Sequence, residues 1–149
     1  MSDISSSDGT NVIDVIQQEH QEIEALLAQV ADHDNAGRDE AFEKLASHLS
    51  KHEAAEQAVV RPEISKIDGT EAEAREAEET KADAMLAQLK SLDVGSAEFD
   101  SLFEKFRSAV LRHAQHEESE EHPKLAANLD PERLEDMGDE FVQAEEDAP

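Results

Sequence analysis

At 149 residues the chain has room for one domain with a buried core. Its formal net charge of −25 at pH 7 argues against nucleic acid and anionic membrane as partners, and would draw cations towards the surface. Cysteine is absent, which excludes disulfides, thiolate metal sites and iron–sulfur clusters. Residues 1–10 are polar and Ser-rich, lack the basic and apolar regions of a signal peptide, and are expected to be disordered. No apolar run approaches the length of a membrane span, so a cytoplasmic protein is the default expectation.

From residue 11 the pattern is helical. Asn11 can cap a first helix running to about Asp32, with Ile13, Ile16, Ile23, Leu27 and Val30 spaced along one seam. The missing member of that series is His20. Asp34, Asn35 and Gly37 make a turn. A second helix runs from about Arg38 to Val60, with the seam Phe42, Leu45, Leu49, His52, Glu56, Val59. Pro62 is expected to kink or end it, and Ile64 and Ile67 continue it for a turn before Asp68-Gly69. Thr70 and Glu73 form a capping-box pattern opening a third helix to about Leu92. Its seam reads Ala72, Arg75, Glu79, Ala82, Leu86, Leu89. Ser96 can cap a fourth helix from Ala97 to about Glu121, with the seam Phe99, Phe103, Phe106, Val110, His113, Glu117. Asp130-Pro131 opens a short fifth helix with Leu134, Met137 and Phe141 on one face, followed by acidic residues expected to fray. The domain reading is a bundle over 11–127 and a C-terminal helix with an acidic tail over 128–149.

The chemistry lies where polar residues interrupt the seams. His52-Glu-Ala-Ala-Glu56 and His113-Ala-Gln-His-Glu117 each put a histidine and a glutamate four apart, on one helix face. In each copy a proline, Pro62 or Pro123, follows six residues after the glutamate. One His-x-x-x-Glu is common on solvated helices, but two with the same distance to a proline form a repeat. A second repeat aligns Glu19-His-Gln-Glu-Ile-Glu-Ala-Leu-Leu-Ala-Gln-Val30 with Glu78-Glu-Thr-Lys-Ala-Asp-Ala-Met-Leu-Ala-Gln-Leu89, setting His20 opposite Glu79. Helices one and two thus resemble three and four. A duplicated helix pair with short loops closes into an all-α, up-down-up-down four-helix bundle.

Six ionisable residues then face the bundle interior: His20, His52, Glu56, Glu79, His113 and Glu117. Burying even one unpaired charge costs several kcal/mol. A divalent or trivalent metal offsets that cost by neutralising carboxylates and accepting imidazole nitrogen. Glutamates can bridge two ions, so six ligands from four helices suit a metal pair, as in the di-iron and di-manganese bundles. A lone histidine on an apolar face is more often a hydrogen-bonded core residue, and only the shared interruption of all four seams outweighs that reading. His48 and His116 lie one step off their seams and read as flanking or ligand-supporting residues. His33 and His122 lie near helix ends and read as solvated or capping. A shifted register in the fourth helix would exchange His113 and Glu117 for His116 and Glu120.

These residues resemble the hemerythrin-like, or HHE cation-binding, domains. That pattern has a His on helix one, His-x-x-x-Glu on helix two, one or two His on helix three, and His followed by an acid on helix four. His20, His52 with Glu56, and His113 with Glu117 match it, as do the prolines, over about residues 11–127. The fifth helix resembles the C-terminal extension of actinobacterial members. Helix three departs from the pattern: it has no histidine, Glu79 stands at the expected position, and Arg75 stands one turn earlier. The resemblance implies two iron ions, oxo- or hydroxo-bridged, with Glu56 and Glu117 as bridging carboxylates. It also implies a small-molecule ligand such as dioxygen, peroxide or nitric oxide; a monomer or weak homo-oligomer is a separate expectation, which the resemblance does not supply.

Two function classes follow from the resemblance. One is a non-heme di-iron oxidoreductase, catalase- or peroxidase-like, acting on peroxide, nitric oxide or Fe(II). The other is a reversible dioxygen-binding or oxygen- and redox-sensing module without turnover. A carboxylate in place of the helix-three histidine makes the site harder and more anionic, which favours Fe(III) and the first class. A metal-dependent structural bundle is the plainest option. Nitrogen and carboxylate donors also suit zinc or manganese, and affinity order favours zinc over Fe(II). Glu79 can alternatively pair with Arg75 or Lys81 on a solvated face, or yield its place to Glu76 or Asp83.

Overall fold

Asn11 sets the start of the fold. Its side chain accepts a hydrogen bond from the Ile13 N–H at 2.9 Å and opens α1 (Val12–Ala31). The computed structural model describes residues 11–149, and the expected disorder of residues 1–10 lies outside them. The chain continues through α2 (Arg38–Ala55), α3 (Arg61–Ile67), α4 (Gly69–Lys90), α5 (Ala97–His116), α6 (His122–Asn128) and α7 (Pro131–Asp147). Short π-helical turns, Glu56–Val60 and Glu117–Glu121, join α2 to α3 and α5 to α6. The result is an all-α, up-down-up-down bundle: α1, α2 with α3, α4, and α5 with α6 form its four arms. The fifth main helix, α7, packs on α1 and α2. No strand occurs among the described residues, and none of their helices is long and apolar enough to cross a membrane.

The turns carry local chemistry that fixes arm directions. Gly37 N–H donates to Asn35 Oδ1 at 2.8 Å, and Arg38 Nε donates to the Val30 carbonyl at 2.7 Å, closing the end of α1. Between α4 and α5, Gly95 takes φ +92°, which a glycine adopts without strain, and Ser96 then caps Phe99. The third helix starts differently from the capping-box expectation. Asp68, not Thr70, is the cap: its carboxylate accepts from the N–H groups of Thr70 and Glu71 at 3.1 and 3.2 Å. A charged acceptor at the positive end of a helix outcompetes a hydroxyl two residues later. The final helix runs on through its acidic residues to Asp147.

Neither proline ends its helix. The Arg61 N–H bonds back to the Glu56 carbonyl and the His122 N–H to the Glu117 carbonyl, five residues away in each case. In an α-helix Pro62 and Pro123 would clash with the carbonyl four residues earlier. The wider turn before each proline relieves that clash, and the helix resumes beyond it.

Two apolar clusters fill the bundle. Ile23, Leu27, Leu45, Leu89, Phe99 and Phe103 belong to one; Ile16, Val60, Ile64, Leu125, Met137 and Phe141 belong to the other. On α1 the buried seam begins with Val12, while the expected Ile13 is only half-buried. The seam residues His20, His52, Glu56, Glu79, His113 and Glu117 stand in sequence between members of the two clusters, so a polar layer crosses the core.

Candidate metal centre

The polar layer is built by all four arms. α1 supplies His20, α2 supplies His52 and leads into Glu56, α4 supplies Glu79, and α5 supplies His113 and leads into Glu117. Five of these side chains are buried, and His113 is 15% exposed. Their donor atoms converge in two groups. His20, His52, Glu56 and Glu117 form one; Glu56, Glu79, His113 and Glu117 form the other; within each group the donor atoms lie within 4.8 Å of one another. Glu56 and Glu117 belong to both. Glu79, rather than the exposed Glu76 or Asp83, is the helix-three member. The histidine of the fourth helix in the layer is His113, so the shifted register with His116 and Glu120 does not occur.

Each of the three histidines is held from behind. Nδ1–H of His20 donates to Glu118 at 2.7 Å, that of His52 to Glu19 at 2.7 Å, and that of His113 to Glu78 at 2.8 Å. This leaves every Nε2 facing the carboxylates: His20 lies 3.0 Å from Glu117, His52 3.4 Å from Glu56, and His113 3.1 Å from Glu117 and 3.2 Å from Glu79. A carboxylate on the outer nitrogen of an imidazole orients the ring and raises its basicity, a recurring support for metal-binding histidine. His116 shares Glu78 with His113 and so supports the layer from outside. His48 and His33 are exposed.

Three further residues of the layer were not legible from the seams. Arg61 is buried and donates to Glu79 at 2.6 Å and Glu121 at 2.8 Å. The competing partners expected for Glu79 are engaged elsewhere or absent: Arg75 lies beside Glu71 and Glu78, at 3.3 and 3.5 Å, and Lys81 is exposed. His122 is 2% exposed, not solvated, and its ring stacks on His20 at a centroid distance of 6.3 Å. The cause lies in the π-helical turns. An extra residue per turn puts positions five apart on one face, so Arg61 follows Glu56 inward and His122 follows Glu117. The proline repeat was the available signal.

The electrostatics describe a carboxylate cluster short of positive charge. Burial and the nearby Glu117 push Glu56 up to about 8; burial with the charges of Glu117 and Glu56 pushes Glu121 up to about 9. Burial opposes ionisation of Glu117 too, yet the imidazoles of His113 and His20 beside it hold its carboxyl well below the usual range. Burial likewise works against charged imidazoles, but the carboxylates of Glu117 and Glu79 beside it push His113 up to about 12. Glu117 raises His20, and Glu56 with Glu19 raises His52. Burial alone dominates at His122, which falls to about 4. Even so, Glu56 Oε2, Glu79 Oε1 and Glu117 Oε2 are buried without a hydrogen-bond partner. Orphaned, inward-facing oxygens beside oriented imidazole nitrogens, with no sulfur donor, are a donor set that suits a metal such as iron, manganese or zinc.

One face of the layer opens on a cavity of about 40 Å³. Leu49, Ala82, Leu86, Phe106 and Val110 are its apolar lining, and His52, Glu53, Glu56, Glu79, Asp83 and His113 its polar lining. Phe141 of α7 packs edge-on against His52 at a centroid distance of 5.6 Å.

Comparison with curated proteins and with solved structures returned no match. A family model described as the hemerythrin HHE cation binding domain matches residues 11–125. That span takes in the four arms up to Leu125 of α6 and every residue of the two converging groups, and the chain belongs to the hemerythrin HHE cation-binding family.

Proposed function

We propose that this chain is a non-heme di-iron protein acting in peroxide, nitric oxide or oxygen chemistry. His20 and His52 would hold one iron, Glu79 and His113 the other, and Glu56 and Glu117 would bridge them. The observation that carries this reading is the pair of four-residue groups sharing two glutamates, with orphaned oxygens on Glu56, Glu79 and Glu117. Bound iron supplies a redox-active Lewis acid able to take a small ligand at an open position. The protein's own part is orientation and exclusion. Glu19, Glu78 and Glu118 fix the three imidazoles, so little reorganisation is needed when charge changes at the centre. The apolar walls of the cavity keep bulk water away and leave room for a small ligand.

The two halves differ in chemistry. One has two histidines; the other has one histidine and the extra carboxylate Glu79. An anionic donor stabilises the ferric state and lowers the reduction potential relative to imidazole, which favours turnover over reversible dioxygen carriage. The small, mostly apolar cavity supports the second reading, a dioxygen-binding or redox-sensing module without turnover. In either reading we place the protein in the cytoplasm as a monomer or weak homo-oligomer.

Metal analysis, an optical spectrum and anaerobic iron titration of wild type, Glu79→Ala and Glu79→His test the proposal. Wild type is expected to take two irons and to show near-ultraviolet charge-transfer absorption. Glu79→Ala should weaken one iron more than the other. Glu79→His should keep both, raise the potential and lengthen the life of an oxygen adduct. Stoichiometric zinc alone would remove the redox function, and identical affinity and potential in all three proteins would remove Glu79 from the centre. Peroxide or nitric oxide consumption by the wild type then separates enzyme from carrier.

A further inference from the structure

Each imidazole of the layer has a carboxylate behind it, and the carboxylate that α4 supplies has a guanidinium behind it. Arg61 Nη2 donates to Glu79 Oε2 at 2.6 Å, and Arg61 Nη1 donates to Glu121 Oε2 at 2.8 Å. Arg61 and Glu79 are each 3% exposed, and Glu121 is 0% exposed. The planar fork of an arginine sets both bonds at once, so Glu121 fixes the guanidinium and the guanidinium fixes Glu79. Glu79 Oε1 stays without a hydrogen-bond partner. Glu79 also lines the cavity, whereas Arg61 and Glu121 do not, so the guanidinium takes up none of that space. The π-helical turn after Glu56 brings Arg61 there, through the bond from its own N–H to the Glu56 carbonyl. Among the described residues, Arg61 is the one lysine or arginine in ion-pair contact with a member of the two converging groups.

We propose that Arg61 is the positioning residue of the Glu79/His113 half: it holds Glu79 by one oxygen, leaves the other for a cation, and offsets the negative charge that Glu79 brings. The inference rests on the metal reading above and deepens it by naming the residue that limits how strongly Glu79 favours the ferric state. The two halves share Glu56 and Glu117 and differ in His20 and His52 on one side, Glu79 and His113 on the other. A metal-bound imidazole is neutral, so the Glu79 half carries one more negative charge. Arg61 sets one positive charge against it, buried where solvent and salt screen it little. Glu79 favours the higher charge that oxidation would put at the centre, and Arg61 opposes it. The hydrogen bond to Oε2 also draws electron density from the carboxylate and makes Glu79 a weaker donor.

The test uses the full-length protein as wild type, Arg61→Gln, Arg61→Lys, Glu79→Gln and the double variant Arg61→Gln with Glu79→Gln. Metal content and thermal unfolding are measured first, and the iron-loaded proteins are then taken through redox titrations followed by absorption. Arg61→Gln should lower the midpoint potential by a tenfold or greater change in the Fe(III)/Fe(II) ratio, about 59 mV for one electron. Arg61→Lys keeps the charge and should stay much closer to wild type. Glu79→Gln should shift the potential upwards, and the double variant, which removes both charges, should return close to wild type. An arginine that only supported the fold would produce no such cancellation. Should Glu79→Gln lose an iron, the contrast between Arg61→Gln and Arg61→Lys decides. In ¹⁵N-labelled wild type, the guanidinium N–H resonances of Arg61 should stay resolved in both the metal-free and the zinc-loaded protein. That readout needs neither iron nor turnover, and it decides the case if the Arg61 variants do not fold. Collapse of those resonances on zinc loading would show that the cation displaces Arg61 from Glu79, and overturns the inference. An unchanged potential in iron-loaded Arg61→Gln, or an equal fall in Arg61→Lys, overturns this inference alone. Failure of the wild type to take up iron overturns the metal reading and this inference together.

Discussion

At the scale of single residues, each inward imidazole is oriented by a glutamate adjacent in sequence to a seam residue of another helix. Glu19 precedes His20 and holds His52; Glu78 precedes Glu79 and holds His113; Glu118 follows Glu117 and holds His20. The internal repeat reproduces this support, since Glu19 aligns with Glu78 and His52 with His113. His52→Ala and His113→Ala are therefore expected to lose metal and stability, because each leaves buried carboxylate uncompensated. His48→Ala and His116→Ala should retain metal, and Glu78→Ala should weaken the Glu79/His113 half about 10–100-fold. Isothermal titration with zinc checks all five; metal retention in His113→Ala would refute the assignment. His122 adds a pH dependence. Its folded pKa of about 4 lies below the unfolded 6.5, so the stability it contributes is complete above about 6.5 and is lost as pH falls towards 4. His122→Phe should thus gain on wild type progressively over that interval, by up to about 3 kcal/mol in metal-free urea denaturation. A pH-independent difference would show that His122 is not buried neutral.

At the scale of elements, the π-helical turns and α7 decide what faces the centre. The turns bring Arg61 and His122 inward five residues after Glu56 and Glu117, and they permit Pro62 and Pro123 inside continuous helices. Arg61 then ties α3 to α4 and to the turn carrying Glu121. The C-terminal helix covers the α1–α2 side, with Phe141 fully buried against His52. Phe141→Ala should cost about 3–5 kcal/mol in urea denaturation, the usual range for deleting a buried phenylalanine. It should also loosen the His20/His52 half more than the other, read as unequal zinc affinities. A cost below about 1 kcal/mol would show that α7 is dispensable cover.

At the scale of the whole molecule, folding and cation uptake are expected to be coupled. The chain carries a net charge of −25, and the polar layer concentrates acids between two apolar clusters. A ligand that binds only the folded state adds about 4 kcal/mol at a thousandfold excess over its Kd. Chelation should therefore lower the melting temperature. Added salt should recover part of that loss by screening self-repulsion, and should affect the metal-loaded protein less. Calorimetry of loaded and chelated protein at low and high salt measures both effects. Equal melting temperatures with and without metal would leave the layer stabilised by its own protons and ion pairs.

The amino-acid sequence by itself determined the arms of the bundle, because a buried seam demands apolar residues three and four apart. It also marked the polar layer, because His20, His52, Glu56, Glu79, His113 and Glu117 stand where that demand is broken. The caps at Asn11, Ser96 and Asp130 were legible for the same local reason. Only the tertiary structure decided which oxygens and nitrogens meet. Seam spacing assumes a constant helical pitch, and the two π-helical turns change that pitch at the motif glutamates. Arg61, Glu121 and His122 were thus invisible as members of the layer. The glutamates behind the histidines were hidden for a different reason: their partners lie on other helices, and in a chain so rich in acids only packing distinguishes a supporting carboxylate from a solvated one.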